Sequence, residues 1–250
     1  MIRVLFAALA LPIFMFAFAA PAADPAQQSP GKIRVLVVTG GHDFEKEPFF
    51  KLFKDNPDIT YRAVAHPNAH ALLKAEAAKQ WDVLVLYDMH QDITPEAKAD
   101  FVARLTEGKG LVVLHHAIAN YQDWPEYTAI IGAHYYLAPA TVNGVEKPRS
   151  AWKEGMHFRI HVADPQHPVT RGLSDFDTHD ETYKWFDVAK ECQPLLTTDE
   201  PESNKVIAWA KTYEGARVVY MQSGHDHFAY ENPNFQQILK QAIQWTARKD

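Results

Sequence analysis

Histidine is the residue type that stands out in this 250-residue chain, which carries 13 of them. Imidazole titrates near neutral pH, so it serves as acid, base or metal ligand under ordinary conditions. Four side chains are singled out as candidate site residues: His42, His115, Glu181 and His225. His42, with Asp43, follows an apolar run through Gly40-Gly41. His115 and His116 end the run that starts at Gly110, and His225, Asp226 and His227 follow another through Ser223-Gly224. Asp88 and His90 end a fourth run in the same way. Glu181 lies in Thr178-His-Asp-Glu-Thr-Tyr183, where two adjacent carboxylates have apolar and aromatic neighbours. A carboxyl placed in such a desolvated cleft has its pKa raised and can act as an acid. Three imidazoles and one carboxylate also form a donor set that suits a divalent metal such as zinc, although no H-E-x-x-H spacing is present.

These groups converge only if the runs that carry them are strands of one sheet. Lys32–Thr39, Ile59–Val64, Trp81–Tyr87 and Gly110–His115 are short apolar runs rich in β-branched residues, bounded by glycine and polar turns. Between them, Glu45–Lys54, Ala69–Lys79 and Thr94–Glu107 fit helices, the last opening on a Thr94 N-cap with Pro95 in its first turn. Such alternation predicts an α/β fold with a mostly parallel, doubly wound sheet. In such sheets ligands bind beyond the carboxyl ends of the strands, where the candidate residues fall. The stretch from about His134 to Lys184 is rich in Pro, aromatics and His and reads as an inserted β-rich segment over the sheet edge or site mouth. The core resumes with Val206–Ala210 and Ala216–Met221 and closes with a helix over Asn234–Thr246.

Residues 1–23 carry Arg3, an apolar run from Val4 to Phe18, and small residues up to Ala23, the pattern of a cleaved signal peptide. Residues 24–31 read as a flexible lead-in and 32–250 as the folded domain. The expected location is therefore periplasmic or secreted, with no membrane attachment after cleavage. A net charge of −6 argues against a nucleic-acid partner, which would require a surplus of Lys and Arg. One cysteine, Cys192, supports neither an internal disulfide nor a cysteine-based zinc site. G-x-G-x-x-G, Walker and G-x-S-x-G motifs are absent, so dinucleotide, nucleotide and serine-hydrolase chemistry lack support.

In order along the chain, Val38-Thr-Gly-Gly-His-Asp-Phe44, Gly110-Leu-Val-Val-Leu-His-His-Ala117, His167-Pro-Val-Thr-Arg-Gly-Leu173, Asp180-Glu-Thr-Tyr183 and Arg217–Asp226 resemble the ThuA-like, trehalose-utilisation family. The similarity runs from about Ile33 to Ala247. It implies a fold like that of class I glutamine amidotransferases (flavodoxin-like), in which a nucleophile sits at the turn after a central strand. Here that turn is Leu114-His115-His116-Ala117 and holds no cysteine, so glutamine hydrolysis through a thioester cannot operate. The family is associated with trehalose and other keto-glucosides. The resemblance matches His115, Glu181 and His225 to motif positions, with His42 in the first-strand loop. The expectation is an enzyme of carbohydrate metabolism, a keto-sugar hydrolase, lyase or isomerase with a His/Glu site and metal assistance. The alternative is a non-catalytic exported module that binds carbohydrate or a partner protein.

Overall fold

In a computed structural model, residues 31–248 are described. The signal peptide read over 1–23 and nearly all of the lead-in lie outside them. Nine strands form one mixed sheet: β1 (Ile33–Gly40), β2 (Ile59–Ala65), β3 (Val83–Asp88), β4 (Gly110–Leu114), β5 (Ala151–Val162), β6 (Phe176–Lys184), β7 (Gln193–Thr197), β8 (Val206–Tyr213) and β9 (Ala216–Met221). Their spatial order is β2-β1-β3-β4-β9-β8-β7-β5-β6. From β2 to β9 neighbours run parallel; from β9 to β6 they run antiparallel. The His134–Lys184 segment therefore extends the sheet through β5 and β6, bringing Glu181 into the same layer as the parallel strands.

The strand cores show why both faces must be covered. Along β1, Val35 and Val37 enter one apolar cluster, while Leu36 and Val38 enter the other. β3 and β4 alternate in the same way, as the two-residue period of a strand requires. One face is closed by Phe49 and Phe53 of α1 (Lys46–Lys54) and by Phe235, Ile238 and Leu239 of the C-terminal helix. The other is closed by Phe101 and Leu105 of α2 (Pro95–Thr106) and by Tyr127, Ile130 and Ile131 of α3 (Pro125–Ile131). The C-terminal helix itself is α4 (Pro233–Thr246). The doubly wound expectation holds. Thr94 caps α2 through its side-chain oxygen, which accepts from the Ala97 amide at 3.2 Å. Among the described residues, no helix is long and apolar enough to cross a membrane.

Two expectations change in detail. The helix expected over Ala69–Lys79 is a 3₁₀ turn, Asn68–Leu73, and a single helical turn, Ala75–Ala78, separated by an extended Lys74. The Leu72 carbonyl, which a continuous helix would pair with residue 76, accepts instead from the Trp81 indole N–H at 2.9 Å. The strand expected to reach His115 stops at Leu114, and His115 begins a 3₁₀ turn through Ala119. Cys192 is buried against Gly132, whose carbonyl lies 3.4 Å from its sulfur, and burial pushes the thiol pKa up to about 11.

Strand β4 and the end of α4 meet without room for a side chain at Gly110. A Cβ there would lie 2.6 Å from the Thr246 carbonyl oxygen. Gly110→Ala is therefore expected to destabilise the protein by about 1–3 kcal/mol through overpacking. A fall in the midpoint of urea denaturation with an unchanged m-value is the predicted signature.

Candidate active site

The strand that ends at Leu114 delivers its next residue in an uncommon conformation. His115 has φ 53°, in the left-handed region that β-carbon-bearing residues seldom occupy. Such a turn costs of order 1–3 kcal/mol and is held by its surroundings. The Tyr220 hydroxyl donates to the His115 carbonyl at 3.3 Å. The His115 Nδ1–H donates to the Gln222 carbonyl at 2.7 Å, which fixes the tautomer and turns Nε2 toward the centre of the site. His115 is almost fully buried.

Around that Nε2 stand groups from two other segments. Glu181 Oε2 lies 3.1 Å from it and His225 Nδ1 lies 3.3 Å from it. The third separation, His225 Nδ1 to Glu181 Oε2, is 3.7 Å. The Tyr183 hydroxyl lies 2.9 Å from His115 Nε2, and the two rings stack with centroids 4.9 Å apart. Glu181 and Tyr183 are two residues apart on β6 and so share a face. His225 is the member of the set that solvent reaches, its side chain being 24% exposed.

The charges are coupled. Burial opposes protonation of His115, but the bonded Glu181 carboxylate outweighs it and the His115 pKa is raised. Burial likewise opposes ionisation of Glu181, but His115 and then His225 hold its pKa below the usual range. Burial, reinforced by Glu181, keeps the Tyr183 phenol protonated and therefore a donor. Asp180, next to Glu181, serves the backbone. Its Oδ2 accepts from the Gly224 amide at 2.9 Å, and its Oδ1 accepts from the amides of His225 at 3.0 Å and Glu181 at 2.8 Å. Burial raises its pKa against the pull of His115 and these three N–H groups.

Of the four candidates read from sequence, His115, Glu181 and His225 come together. Among the described residues they form the one group whose donor atoms could hold a metal ion. His42 is not part of it. Its Nδ1 lies 2.7 Å from the neighbouring Asp43 carbonyl, and its exposed ring is tilted against that of His116, with centroids 4.6 Å apart. The reason is local: Gly40 and Gly41 both adopt left-handed φ, which turns the chain away just before His42. His227 pairs instead with Glu45 at 3.0 Å, and Asp226 caps the short helix His227–Tyr230. Sequence reading passed over Tyr183 as a proton donor and Asp180 as an anchor. Tyr183 had a signal: its i, i+2 spacing from Glu181 on a strand.

Asp180→Asn replaces one accepting oxygen with an NH₂ that faces amide donors. It is expected to destabilise the protein by about 1–3 kcal/mol, measured by chemical denaturation, because buried N–H groups lose their acceptor.

The comparisons with known proteins agree with this architecture. The family model for trehalose utilisation, ThuA, matches residues 34–246. A ThuA-like protein from Parabacteroides merdae superposes with a TM-score of 0.73 at 18% identity, covering 86% of this chain and 90% of that one. A second, from Bacteroides uniformis, gives 0.67 at 19% identity over 91% of this chain and 97% of that one. A glutamine amidotransferase from Thermotoga maritima gives 0.52 at 9% identity over 86% and 98%, a likeness of fold alone. No curated protein matches the chain. With a family model spanning nearly the whole described domain and the fold to accompany it, the chain belongs to the ThuA family.

Proposed function

We propose that the protein is an exported enzyme of carbohydrate metabolism that acts on a keto-derivative of trehalose or a related glucoside at the His115–Glu181–His225 centre. The observation that carries this reading is the convergence of three donor atoms from three remote segments, separated by 3.1, 3.3 and 3.7 Å. Ligand atoms about 2.0–2.1 Å from a tetrahedral centre are separated by about 3.3–3.4 Å, so the triangle also has the size that zinc or a similar ion requires. The outward bond from His115 Nδ1 to the Gln222 carbonyl is the supporting contact that metal-binding imidazoles generally make. We therefore assign His115, His225 and Glu181 as the residues that would hold a divalent cation. When bound, such an ion would polarise a carbonyl or hydroxyl oxygen of the sugar.

The chain's own groups supply the proton chemistry. A ketone acidifies the C–H beside it, and a positioned base can remove that proton. His225 is the imidazole open to solvent and thus to substrate, and Glu181 lies beside it. The Tyr183 hydroxyl stays protonated and can donate to an oxygen on which negative charge develops. Thioester chemistry has no place in this scheme, because the turn after β4 carries His115 where a cysteine nucleophile would stand. Export rests on the sequence of residues 1–23.

The test uses the mature protein. Elemental analysis after native purification should find about one divalent ion per chain. His115→Ala and His225→Ala should each lower metal affinity at least about ten-fold. The wild-type protein should consume 3-keto-trehalose, and Glu181→Gln should reduce kcat/KM by roughly 10²–10⁴ while leaving the protein folded. Tight sugar binding without turnover of any keto-sugar, with or without added metal, would identify a binding module instead. Mass spectrometry of the secreted form should place its first residue close to Asp24.

A further inference from the structure

Most of the large aromatic side chains are buried, but two that are not stand on either side of Glu181. Among the described residues the exposed indole and phenyl rings are Trp152, Trp185 and Phe228, at 55%, 51% and 48%. The Trp185 ring already carries a partner, Lys184 Nζ at 5.4 Å from its centroid. Alternation along a strand puts His179, Glu181 and Tyr183 on one face of β6. Trp152 of β5 is the antiparallel partner of Tyr183. Opposed residues project from the same face with β-carbons about 5 Å apart, so Trp152 stands beside the tyrosine that touches His115. On the other side of Glu181, the His179 ring lies flat on that of its own partner, His157, with centroids 4.1 Å apart and planes 8° from parallel. Phe228 lies against His179 at 4.3 Å, and His227 backs Phe228 at 4.0 Å.

The Phe228–His179 contact joins the same two segments as the Glu181–His225 pair. His179 precedes Glu181 on β6, and Phe228 follows His225 in the loop after β9. Between the two aromatic positions the ribbon of β5 and β6 is opened. β5 sets Glu154 and Gly155 against Glu181 alone, a bulge of one extra residue, and bulges beside active sites re-aim the side chains around them. Gly155 has φ 66°, and a Cβ there would meet, beyond its chain neighbours, only His179 Nε2, at 3.9 Å. The surface next to His179 is therefore open. These rings can be reached from outside: Trp152, His157 and Phe228 are exposed, and His179 is half-buried.

Aromatic surface held in water next to a polar centre calls for a ligand that covers it. A purely apolar ligand would cover the rings but take water from the imidazole and indole nitrogens at their edges and return nothing. A pyranose answers both needs. Its C–H face suits the negative π face of a ring, and its rim carries hydroxyls that donate to and accept from those nitrogens. The strand sets the spacing: His179 and Tyr183 lie about 13 Å apart along β6, with Glu181 midway. We propose that Trp152 on one side, and Phe228 with His179 on the other, are glycosyl-binding walls that hold the two rings of a disaccharide across Glu181. The sugar identity rests on the carbohydrate reading of the His115 centre; the exposure of the rings and their placement on either side of Glu181 do not.

Trehalose is the probe, titrated calorimetrically into the mature protein. Wild type is expected to bind it, and Trp152→Leu and Phe228→Ala to weaken binding about ten-fold each. Trp152→Phe is expected to keep most of the affinity, because it keeps a ring where leucine keeps only apolar bulk. Both residues are exposed, so the variants lose little packing, and circular dichroism confirms that each is folded. With 3-keto-trehalose as substrate, Trp152→Leu and Phe228→Ala are expected to raise KM by the same factor, with the smaller change in kcat. Absence of trehalose binding by wild type overturns the proposal. So does wild-type affinity in either Trp152→Leu or Phe228→Ala, or an equal loss in Trp152→Phe and Trp152→Leu. Failure of 3-keto-trehalose turnover alongside ring-dependent trehalose binding would remove the enzymatic reading and leave the walls standing; turnover with a KM that neither variant moves would do the reverse.

Discussion

One buried carboxylate ties the two halves of the sheet together at the point where chemistry is expected. Asp180 belongs to β6, at the far antiparallel edge, yet its oxygens accept the amides of Gly224 and His225, which follow β9 in the middle of the sheet. The link bridges 44 and 45 residues of sequence. It uses main-chain donors, so it sets the position of the loop whatever side chains the loop carries. Because Asp180 also accepts the amide of Glu181, the same group orients the carboxylate beside it. Glu181 and His225 are thus referred to a common anchor, and the separation between them is fixed by backbone rather than by their mutual attraction.

The left-handed turn at His115 is the complementary constraint. Asp180 brings two groups to the centre, and the turn brings the third. Had β4 continued for one more residue, His115 and His116 would have projected to opposite faces of the sheet. The change to a 3₁₀ turn keeps both rings on the carboxyl edge, 5.3 Å apart, where one joins the Glu181 centre and the other lies against His42 and Tyr87. Neighbouring histidines thereby acquire opposite electrostatic characters. The carboxylate next to His115 favours its charged form, while His116 has no such partner and stays neutral.

Much of the parallel half could be read from sequence because its information is local. The alternation of Val35 and Val37 with Leu36 and Val38, and the Thr94-Pro95 start of α2, report strand and helix without reference to anything distant. Two of the residues that converge, His115 and His225, were accessible for the same reason: the carboxyl ends of strands in such a sheet share an edge. What could not be read depended on partners far along the chain. His42 looked equivalent to His115 in sequence, but only the backbone at Gly40 and Gly41 shows that it turns toward His116. Asp180 and Glu181 are adjacent acids whose division of labour is set by amides some 44 residues away. His66 and His70 gave no sign in sequence, since His66 finds Asp88 across an intervening strand and a gap of 22 residues.

The packing of Cys192 on Gly132 carries a consequence for the life of the chain after folding. A β-carbon at Gly132 would lie 2.3 Å from the sulfur, so the thiol is sealed by backbone that cannot step aside cheaply. Protonated and screened from solvent, the sulfur offers almost no thiolate to peroxides or to disulfide exchange. With a single cysteine the chain has no internal disulfide to lose under reduction, and its one thiol is shielded from partners under oxidation.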